Sequence, residues 1–200
     1  MSDVPPSRTG VALNERAIES LEFIRTTMAR SAPFTAVSGI GGIAMGVLAL
    51  AAAFVARSSA SNQQWLAVWV AAAAVAVPVG FMLMRGKARR HDLALWSAAG
   101  RRFAQGFVPA ILVGAVLTVA LVRVDAVELV PAVWLLLYGA GVLAGSSSSV
   151  PVLAWLGALF MVLGSVSLFT PPAWRDMWLA AGFGVLQIGF GAYIARNHGG

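Results

Sequence analysis

Apolar residues form long uncharged blocks along this chain, and short polar segments separate the blocks. A transmembrane helix needs about 20 consecutive apolar residues, because each residue adds 1.5 Å of rise and the hydrocarbon core is roughly 30 Å thick. The pattern predicts an all-α fold, a polytopic membrane protein with six transmembrane helices. Those helices are predicted at residues 34–56, 64–84, 104–122, 129–145, 150–169 and 177–195.

The segment before the first block has a different pattern. Apolar residues recur there at three- and four-residue steps, as in Leu21, Ile24 and Met28. Three glutamates lie towards the start of the segment and two arginines towards its end: Glu15, Glu19, Glu22, Arg25 and Arg30. This favours an amphipathic helix over residues 14–30, too charged to span a bilayer. We therefore divide the chain into a cytoplasmic tail with an amphipathic helix, residues 1–33, and a six-helix transmembrane domain, residues 34–196.

Composition supports a membrane protein over a soluble domain. Hydrophobic residues make up 59% of the chain and charged residues 11%, against about 45–50% and about 25% in a typical soluble domain. The chain has no cysteine, which excludes disulfides and thiolate metal sites. Its net charge of +6 favours an anionic partner, and the positions of the basic residues indicate which kind.

Basic residues concentrate between the second and third blocks, in a predicted loop over residues 85–103. Six spans place this loop and both termini on one side, which holds 11 of the 14 Lys and Arg residues. Because the side rich in Lys and Arg stays in the cytoplasm, we expect a bacterial inner-membrane protein with both termini cytoplasmic. This placement favours anionic lipid or a membrane-protein partner over nucleic acid. The predicted contact residues are Arg85, Lys87, Arg89, Arg90, Arg101 and Arg102.

Pairs of glycines share helix faces within the predicted spans. Small residues let helix backbones approach closely in lipid, where the hydrophobic effect does not drive helices together. We therefore predict helix packing at two pairs spaced by four residues, Gly42 with Gly46 and Gly141 with Gly145, and at one pair spaced by seven, Gly182 with Gly189.

The spans contain no ionisable Asp, Glu, Lys, Arg or His, the usual marker of an ion or proton pathway. We expect their polar residues, such as Tyr138, Gln187 and Thr118, to form interhelical hydrogen bonds or bonds to backbone carbonyls. Both histidines, His91 and His198, fall in cytoplasmic segments and form no convergent ligand set. The sequence therefore predicts no catalytic residue, no metal site and no cofactor.

A serine run precedes the fifth predicted helix. We expect Ser149 to be its N-cap, with Pro151 in the first turn. A helix N-terminus with free N–H groups can hold an anion, so this turn is either an exposed hairpin or part of a small cavity.

Seven short strings spread over most of residues 13–200 are distinctive. They are 21–28 (LEFIRTTM), 34–39 (FTAVSG), 65–69 (WLAVW), 87–90 (KARR), 134–139 (WLLLYG), 182–184 (GFG) and 194–196 (IAR). In these strings the chain resembles a group of uncharacterised bacterial integral membrane proteins. The resemblance implies one continuous multispan unit and adds no activity. This chain departs from the group at Ser146 to Ser149, where glycines are typical.

These patterns favour an interaction protein that is not an enzyme. We predict an accessory, assembly or regulatory subunit that binds through its transmembrane helices and its basic loop to another membrane protein or to a second copy. The alternative is a small transporter or channel for a neutral or apolar solute, with Pro78, Pro109 and the serine turn as mobile elements. A lipid-modifying enzyme ranks last, because no acid–base pair can be identified.

Overall fold

The computed structural model describes residues 20–21, 37–90 and 95–197. The chain divides into two compact units, Met1–Pro33 and Phe34–Gly200. In the first unit Ser20 and Leu21 are helical, and the rest of the amphipathic helix predicted over residues 14–30 lies outside the described residues.

The described part of the second unit is helical and contains no strand, which confirms the all-α prediction there. Five of its helices are long and apolar enough to cross a membrane, and α5, with 16 residues, is shorter. The helices are α1 (Gly39–Ala56), α2 (Asn62–Arg90), α3 (Ala98–Arg123), α4 (Val130–Ser146), α5 (Val152–Ser167) and α6 (Pro172–Asn197).

Helix α6 is irregular. It begins with the 3₁₀ turn Pro172–Trp174, continues as α-helix over Arg175–Leu179, widens to π-helix over Ala180–Leu186 and returns to α-helix at Gln187–Asn197. π-Helical segments are rare and frequently occur at functional sites. This segment lies in the middle of the last predicted span.

The helices pack in a defined order. Helix α4 packs against α3 and α5, whereas α1 packs against α2 and α6. Helix α6 joins the two groups, because its first half also contacts α4 and α5. The second unit therefore contains two three-helix layers, α1–α2–α6 and α3–α4–α5, that meet along α6.

Interhelical contacts define two ends of this bundle. Trp65 at the start of α2 donates a hydrogen bond to Asp176 at the start of α6, and Glu128, just before α4, lines a cleft with Arg175. We call this the tryptophan end. At the opposite end, which we call the arginine end, Lys87 near the end of α2 reaches Val37 just before α1.

Helix boundaries differ from the predicted ones around the basic segment. Helix α2 continues to Arg90 and α3 begins at Ala98, so the predicted loop over residues 85–103 shrinks to the segment between those two residues. Lys and Arg are good helix formers, and at the end of α2 they complement the helix dipole. At the start of α3 they oppose it, and there the Ser97 side chain caps the helix by accepting the N–H of Gly100 at 3.1 Å.

The predicted N-cap at Ser149 is wrong. Helix α5 begins at Val152 with Pro151 at the N-cap position and no side-chain cap. The preceding serines instead satisfy carbonyls at the end of α4, since the Ser146 hydroxyl donates to Leu143 O at 2.7 Å and that of Ser147 to Ala144 O at 3.1 Å. The serine turn therefore continues the end of α4.

Glycines lie where the helix backbones are closest. A Cβ added to Gly139 on α4 would lie 2.6 Å from Gly157 O on α5, and one added to Gly157 would lie 2.7 Å from Gly139 O. Gly39 and Gly191 have the same reciprocal relationship across α1 and α6, at 2.5 and 2.7 Å. Neither interface can accept even a methyl group without separating the helices.

Five of the six glycines predicted to pack helices lie at such contacts. Gly42 faces Gly191, Gly46 faces Gly184, Gly141 and Gly145 face phenylalanines of α3, and Gly182 faces α4 and α5.

Gly189 differs, because no described residue outside its own helical turn has an atom within 4 Å of the position that a Cβ would take. Much of the interval from Gly182 to Gly189 lies in the π-helical segment. The wider turns rotate Gly189 away from the face that Gly182 occupies.

Candidate functional site

Two helices leave most of their apolar surface uncovered. In the most apolar 18-residue stretch of α2 no residue is buried, and in α3 only 6% are, against 39% in α1 and 44% in the helical segment that contains α4. Helix α2 packs mainly on α1, and α3 mainly on α4. The exposed side chains include Val77 on α2 and Leu112 and Val116 on α3. These faces are available to lipid or to another transmembrane helix.

Five arginines are exposed at the arginine end, at the end of α2 and the start of α3. We call this group the arginine surface: Arg85, Arg89, Arg90, Arg101 and Arg102. Two of its members contact their own part of the chain: Arg101 donates to the backbone oxygen of Trp96 at 3.2 Å, and the Arg85 guanidinium lies 6.0 Å from the Phe81 ring centre. The surface adjoins the two uncovered helices, so one partner can contact both.

Lys87, predicted to contact a partner or lipid, is instead buried. Only 4% of its surface is exposed, and its Nζ donates to Val37 O at 3.0 Å. It lies beyond the predicted span 64–84, and burial lowers the pKa of its ammonium group below the usual value, because desolvation disfavours the charged form. Lys87 therefore joins α2 to the start of α1 and is not part of the arginine surface.

At the tryptophan end one carboxylate accepts two indole N–H groups. Asp176 Oδ1 accepts the Nε1–H of Trp65 at 2.7 Å and that of Trp69 at 3.2 Å. The guanidinium of Arg175 lies 4.4 Å from the Trp65 ring centre and donates to Asn62 Oδ1 at 2.8 Å. This network holds the start of α2 against α6, which compensates for the weak packing of α2 elsewhere.

A polar pair lies among aromatic rings in the bundle core. Gln187 on α6 donates to the Tyr138 hydroxyl on α4 at 2.7 Å, and the Tyr138 ring contacts Phe107, Phe160 and Phe183, with ring centres 4.7–5.5 Å apart. This confirms the predicted interhelical hydrogen bond. Gln187 Oε1, however, is buried and has no hydrogen-bond partner in the part of the chain that the structure describes. A buried unpaired carbonyl costs about 1–3 kcal/mol, which makes this atom a candidate for ligand contact.

Other polar side chains in the spans bond as expected. The Thr118 hydroxyl donates to Gly114 O at 2.8 Å and accepts the Trp134 indole N–H at 2.9 Å, and Ser167 donates to Gly164 O at 2.8 Å. Among the residues that the structure describes, no group of His, Asp and Glu side chains is arranged to hold a metal ion. His91 and His198 lie outside that part of the chain.

A cleft of about 130 Å³ opens at the tryptophan end between the turn before α4 and the turn from α5 to α6. Its lining is mixed: Glu128 and Arg175 supply opposite charges, Thr170 supplies a hydroxyl, and Leu129 and Pro171 supply apolar walls. The Thr170 hydroxyl is already engaged, since it accepts the Trp178 indole N–H at 2.8 Å and donates to Ser167 O at 2.9 Å.

Comparisons with protein-family models, with curated proteins and with solved structures find no match to this chain.

Sequence patterns do not reveal several of these contacts. The Trp65–Asp176 bond joins residues 111 positions apart, and Lys87 resembles its exposed neighbours in sequence. The sequence does hold one indication of the Trp65–Asp176 bond. Both residues lie next to the start of a predicted span, on the same side of the membrane. A carboxylate beside interfacial indoles can accept their N–H groups.

Proposed function

We propose that this protein is an inner-membrane accessory, assembly or regulatory subunit that binds another membrane protein. The observation that carries the proposal is the uncovered apolar surface of α2 and α3 beside the arginine surface. Both features belong to the same two helices, so a single partner would use them together.

The proposed partner has an apolar transmembrane face and an acidic cytoplasmic surface. Charge complementarity at the arginine surface would set orientation and association rate, and the buried helix contact would supply most of the affinity. Exposed ion pairs contribute little each, about 0–1 kcal/mol, so the helix faces must contribute most of the binding.

The proposed topology has six spans, with the arginine end and both termini in the cytoplasm. Two facts support the sixth span. Helix α5 links the arginine end, after α4, to the tryptophan end, before α6, and exposed Leu168 and Phe169 prolong its apolar surface. At about 24 Å its 16 residues are shorter than the hydrocarbon core, and a short helix of this kind is accommodated by local thinning of the bilayer.

Photo-cross-linking in cells tests the proposed partner. A photoreactive residue replaces Val77 on α2 or Val116 on α3, each 68% exposed, and the matched controls replace Val162 on α5 or Val185 on α6, at 58% and 62%. We expect a discrete adduct with a different protein from the first pair and none from the second. Equal, diffuse lipid adducts from all four positions would refute the proposal, as would an adduct with the mass of two copies of this chain.

Charge reversal tests the arginine surface separately. The quadruple variant Arg89→Glu, Arg90→Glu, Arg101→Glu and Arg102→Glu should abolish the adduct from Val116, and the same four changes to Gln should weaken it. A C-terminal topology reporter must give the wild-type signal, since these charges also set orientation. An undiminished adduct in a correctly oriented Glu variant would show that the arginines do not contact the partner.

A small transporter or channel for a neutral solute is the second candidate. The unpaired Gln187 Oε1 favours it, because a buried acceptor beside a π-helical segment offers a solute hydrogen bond within the bundle. Proteoliposomes loaded with buffer and exposed to labelled glycerol would test it. Uptake above empty liposomes that Gln187→Leu abolishes would support transport, and uptake equal to that of empty liposomes would exclude it for this solute.

A further inference from the structure

The cleft at the tryptophan end combines features that suit one class of ligand. It holds about 130 Å³ and has Arg175 and Glu128 in its lining. No ion pair joins these two residues in the described structure, although both line the same small space. Opposite charges that do not neutralise each other suit a ligand that carries both a negative and a positive group.

Arg175 is held in place by the protein. Its NH1 donates to Asn62 Oδ1 at 2.8 Å, and its guanidinium lies 4.4 Å from the Trp65 ring centre. A guanidinium has five N–H donors in a planar fork that matches phosphate oxygens. The bond to Asn62 uses one of these donors, and Arg175 also lines the cleft, so we assign the remaining donors to an anionic group there.

Glu128 is exposed and lies in the 3₁₀ turn Val127–Leu129 that precedes α4. A carboxylate accepts hydrogen bonds and donates none when ionised, so it suits a cation that has N–H groups. It also disfavours a second anion next to the one bound by Arg175. The preferred ligand is therefore zwitterionic.

The surroundings place this cleft at a membrane interface. Phe169 beside Thr170 is 89% exposed, and Trp174 beside Arg175 is 49% exposed. Large apolar residues in such positions suit lipid, and tryptophans concentrate at the headgroup level. A ligand with acyl chains could lie with its chains along these residues and its polar group in the cleft.

We infer that this cleft binds a phosphoethanolamine headgroup of a membrane phospholipid, with its phosphate at Arg175 and its ammonium at Glu128. A phosphoglycerol headgroup lacks the cation that Glu128 requires. A phosphocholine headgroup carries a cation with no N–H group, so it cannot donate to the carboxylate. The site is distinct from the arginine surface, which lies at the opposite end of the bundle.

Native mass spectrometry of the full chain tests this inference. The protein is purified in detergent and mixed with equal amounts of phosphatidylethanolamine, phosphatidylcholine and phosphatidylglycerol of identical acyl chains. We expect phosphatidylethanolamine to be retained about fivefold over each of the others, the size of one partly exposed ion pair. Equal retention of the three lipids would overturn the inference.

Two variants separate the roles of the charges. Glu128→Gln should remove the preference for phosphatidylethanolamine over phosphatidylcholine, whereas the matched control Asp125→Asn, an exposed acid three residues earlier that does not line the cleft, should keep it. Arg175→Gln should reduce retention of all three lipids, and Arg123→Gln is its control. A Glu128→Gln variant with the wild-type preference would refute the assigned ammonium contact. Neither outcome depends on the proposed partner at α2 and α3.

Discussion

Helices α4 and α2 are both apolar, but α4 buries many of its apolar residues against other helices, whereas α2 leaves them exposed. In the helical segment that contains α4, 44% of the most apolar stretch is buried, against none of that stretch in α2. Hydropathy cannot separate the two cases, because lipid and the protein interior are equally apolar solvents. The difference lies in close glycine contacts: Gly139, Gly141 and Gly145 on α4 all meet a neighbouring helix, whereas on α2 Gly80 meets α1 and Gly86 has nothing within 4 Å among the described residues.

The same comparison explains how α2 remains attached. Where packing is sparse, polar contacts hold the helix at both ends, through Trp65 and Trp69 on Asp176 and through Lys87 on Val37 O. We therefore expect packing substitutions to damage the α4–α5 interface most and polar substitutions to damage the attachment of α2 most.

The largest expected effect is at the α4–α5 contact. Gly139→Ala should lower the free energy of unfolding by about 3 kcal/mol, since its Cβ would lie 2.6 Å from a backbone oxygen of α5. Gly189→Ala, where nothing lies within 4 Å, should be neutral or stabilise by up to about 1 kcal/mol through helix propensity. Unfolding in mixed detergent micelles measures both, and equal effects would contradict the contact.

Removal of the shared acceptor at the tryptophan end should have the next largest effect. Asp176→Ala leaves the indole N–H of Trp65, which is fully buried, without its partner. The expected loss is about 2 kcal/mol, with a change in tryptophan fluorescence as α2 loosens. The control is Asp125→Asn, which keeps a residue that tolerates the positive φ of 55° at that position. An Asp176→Ala variant as stable as this control would show that the network does not hold α2.

The polar pair in the core should respond asymmetrically. Tyr138→Phe leaves both ends of the Gln187 amide unpaired and should cost about 1 kcal/mol. Gln187→Leu removes an oxygen that already lacks a partner, which offsets the loss of the N–H that the Tyr138 hydroxyl accepts, so it should cost less than Tyr138→Phe. Chemical unfolding of both variants and of the double variant measures the difference. A larger loss of unfolding free energy for Gln187→Leu than for Tyr138→Phe would show that Gln187 Oε1 accepts a hydrogen bond from another group.

The smallest expected effect is at the α3–α4 contact. Thr118→Val removes the acceptor of the Trp134 indole N–H, which lies 2.9 Å from the hydroxyl. Interhelical hydrogen bonds in membranes contribute about 0.6 kcal/mol on average, so a loss of that order is expected in the same unfolding assay. A loss as large as that of Gly139→Ala would mean that α3 depends on polar contacts in the way that α2 does.

Much of this fold could be predicted from the sequence, because lipid imposes long uncharged blocks that are visible without a structure. Each predicted span overlaps a helix, and the glycine pairs Gly42–Gly46 and Gly141–Gly145 lie at interfaces. Helix ends were harder to predict. Lys and Arg are good helix formers, so α2 continues beyond the apolar stretch to Arg90, where the charges suggested a loop.

The remaining features depend on tertiary contacts that periodicity does not encode. Burial of Lys87 and exposure of its arginine neighbours follow from the position of Val37, 50 residues earlier. Gly189 does not pack against a neighbouring helix as predicted, because the π-helical segment has more residues per turn than an α-helix. Residues seven apart across this segment therefore no longer share a helix face. The cleft that contains Glu128 and Arg175 arises from two turns that are distant in sequence.

The crossing of α5 is the central claim about topology, and cysteine labelling tests it most directly. The chain has no cysteine, so single cysteines at the exposed positions Ser147 and Ala173, on either side of α5, report each end alone. In intact cells a membrane-impermeant maleimide should label Ala173→Cys and a Ser58→Cys reference, and should label Ser147→Cys only after permeabilisation. Equal labelling of Ser147→Cys and Ala173→Cys in intact cells would contradict the six-span account.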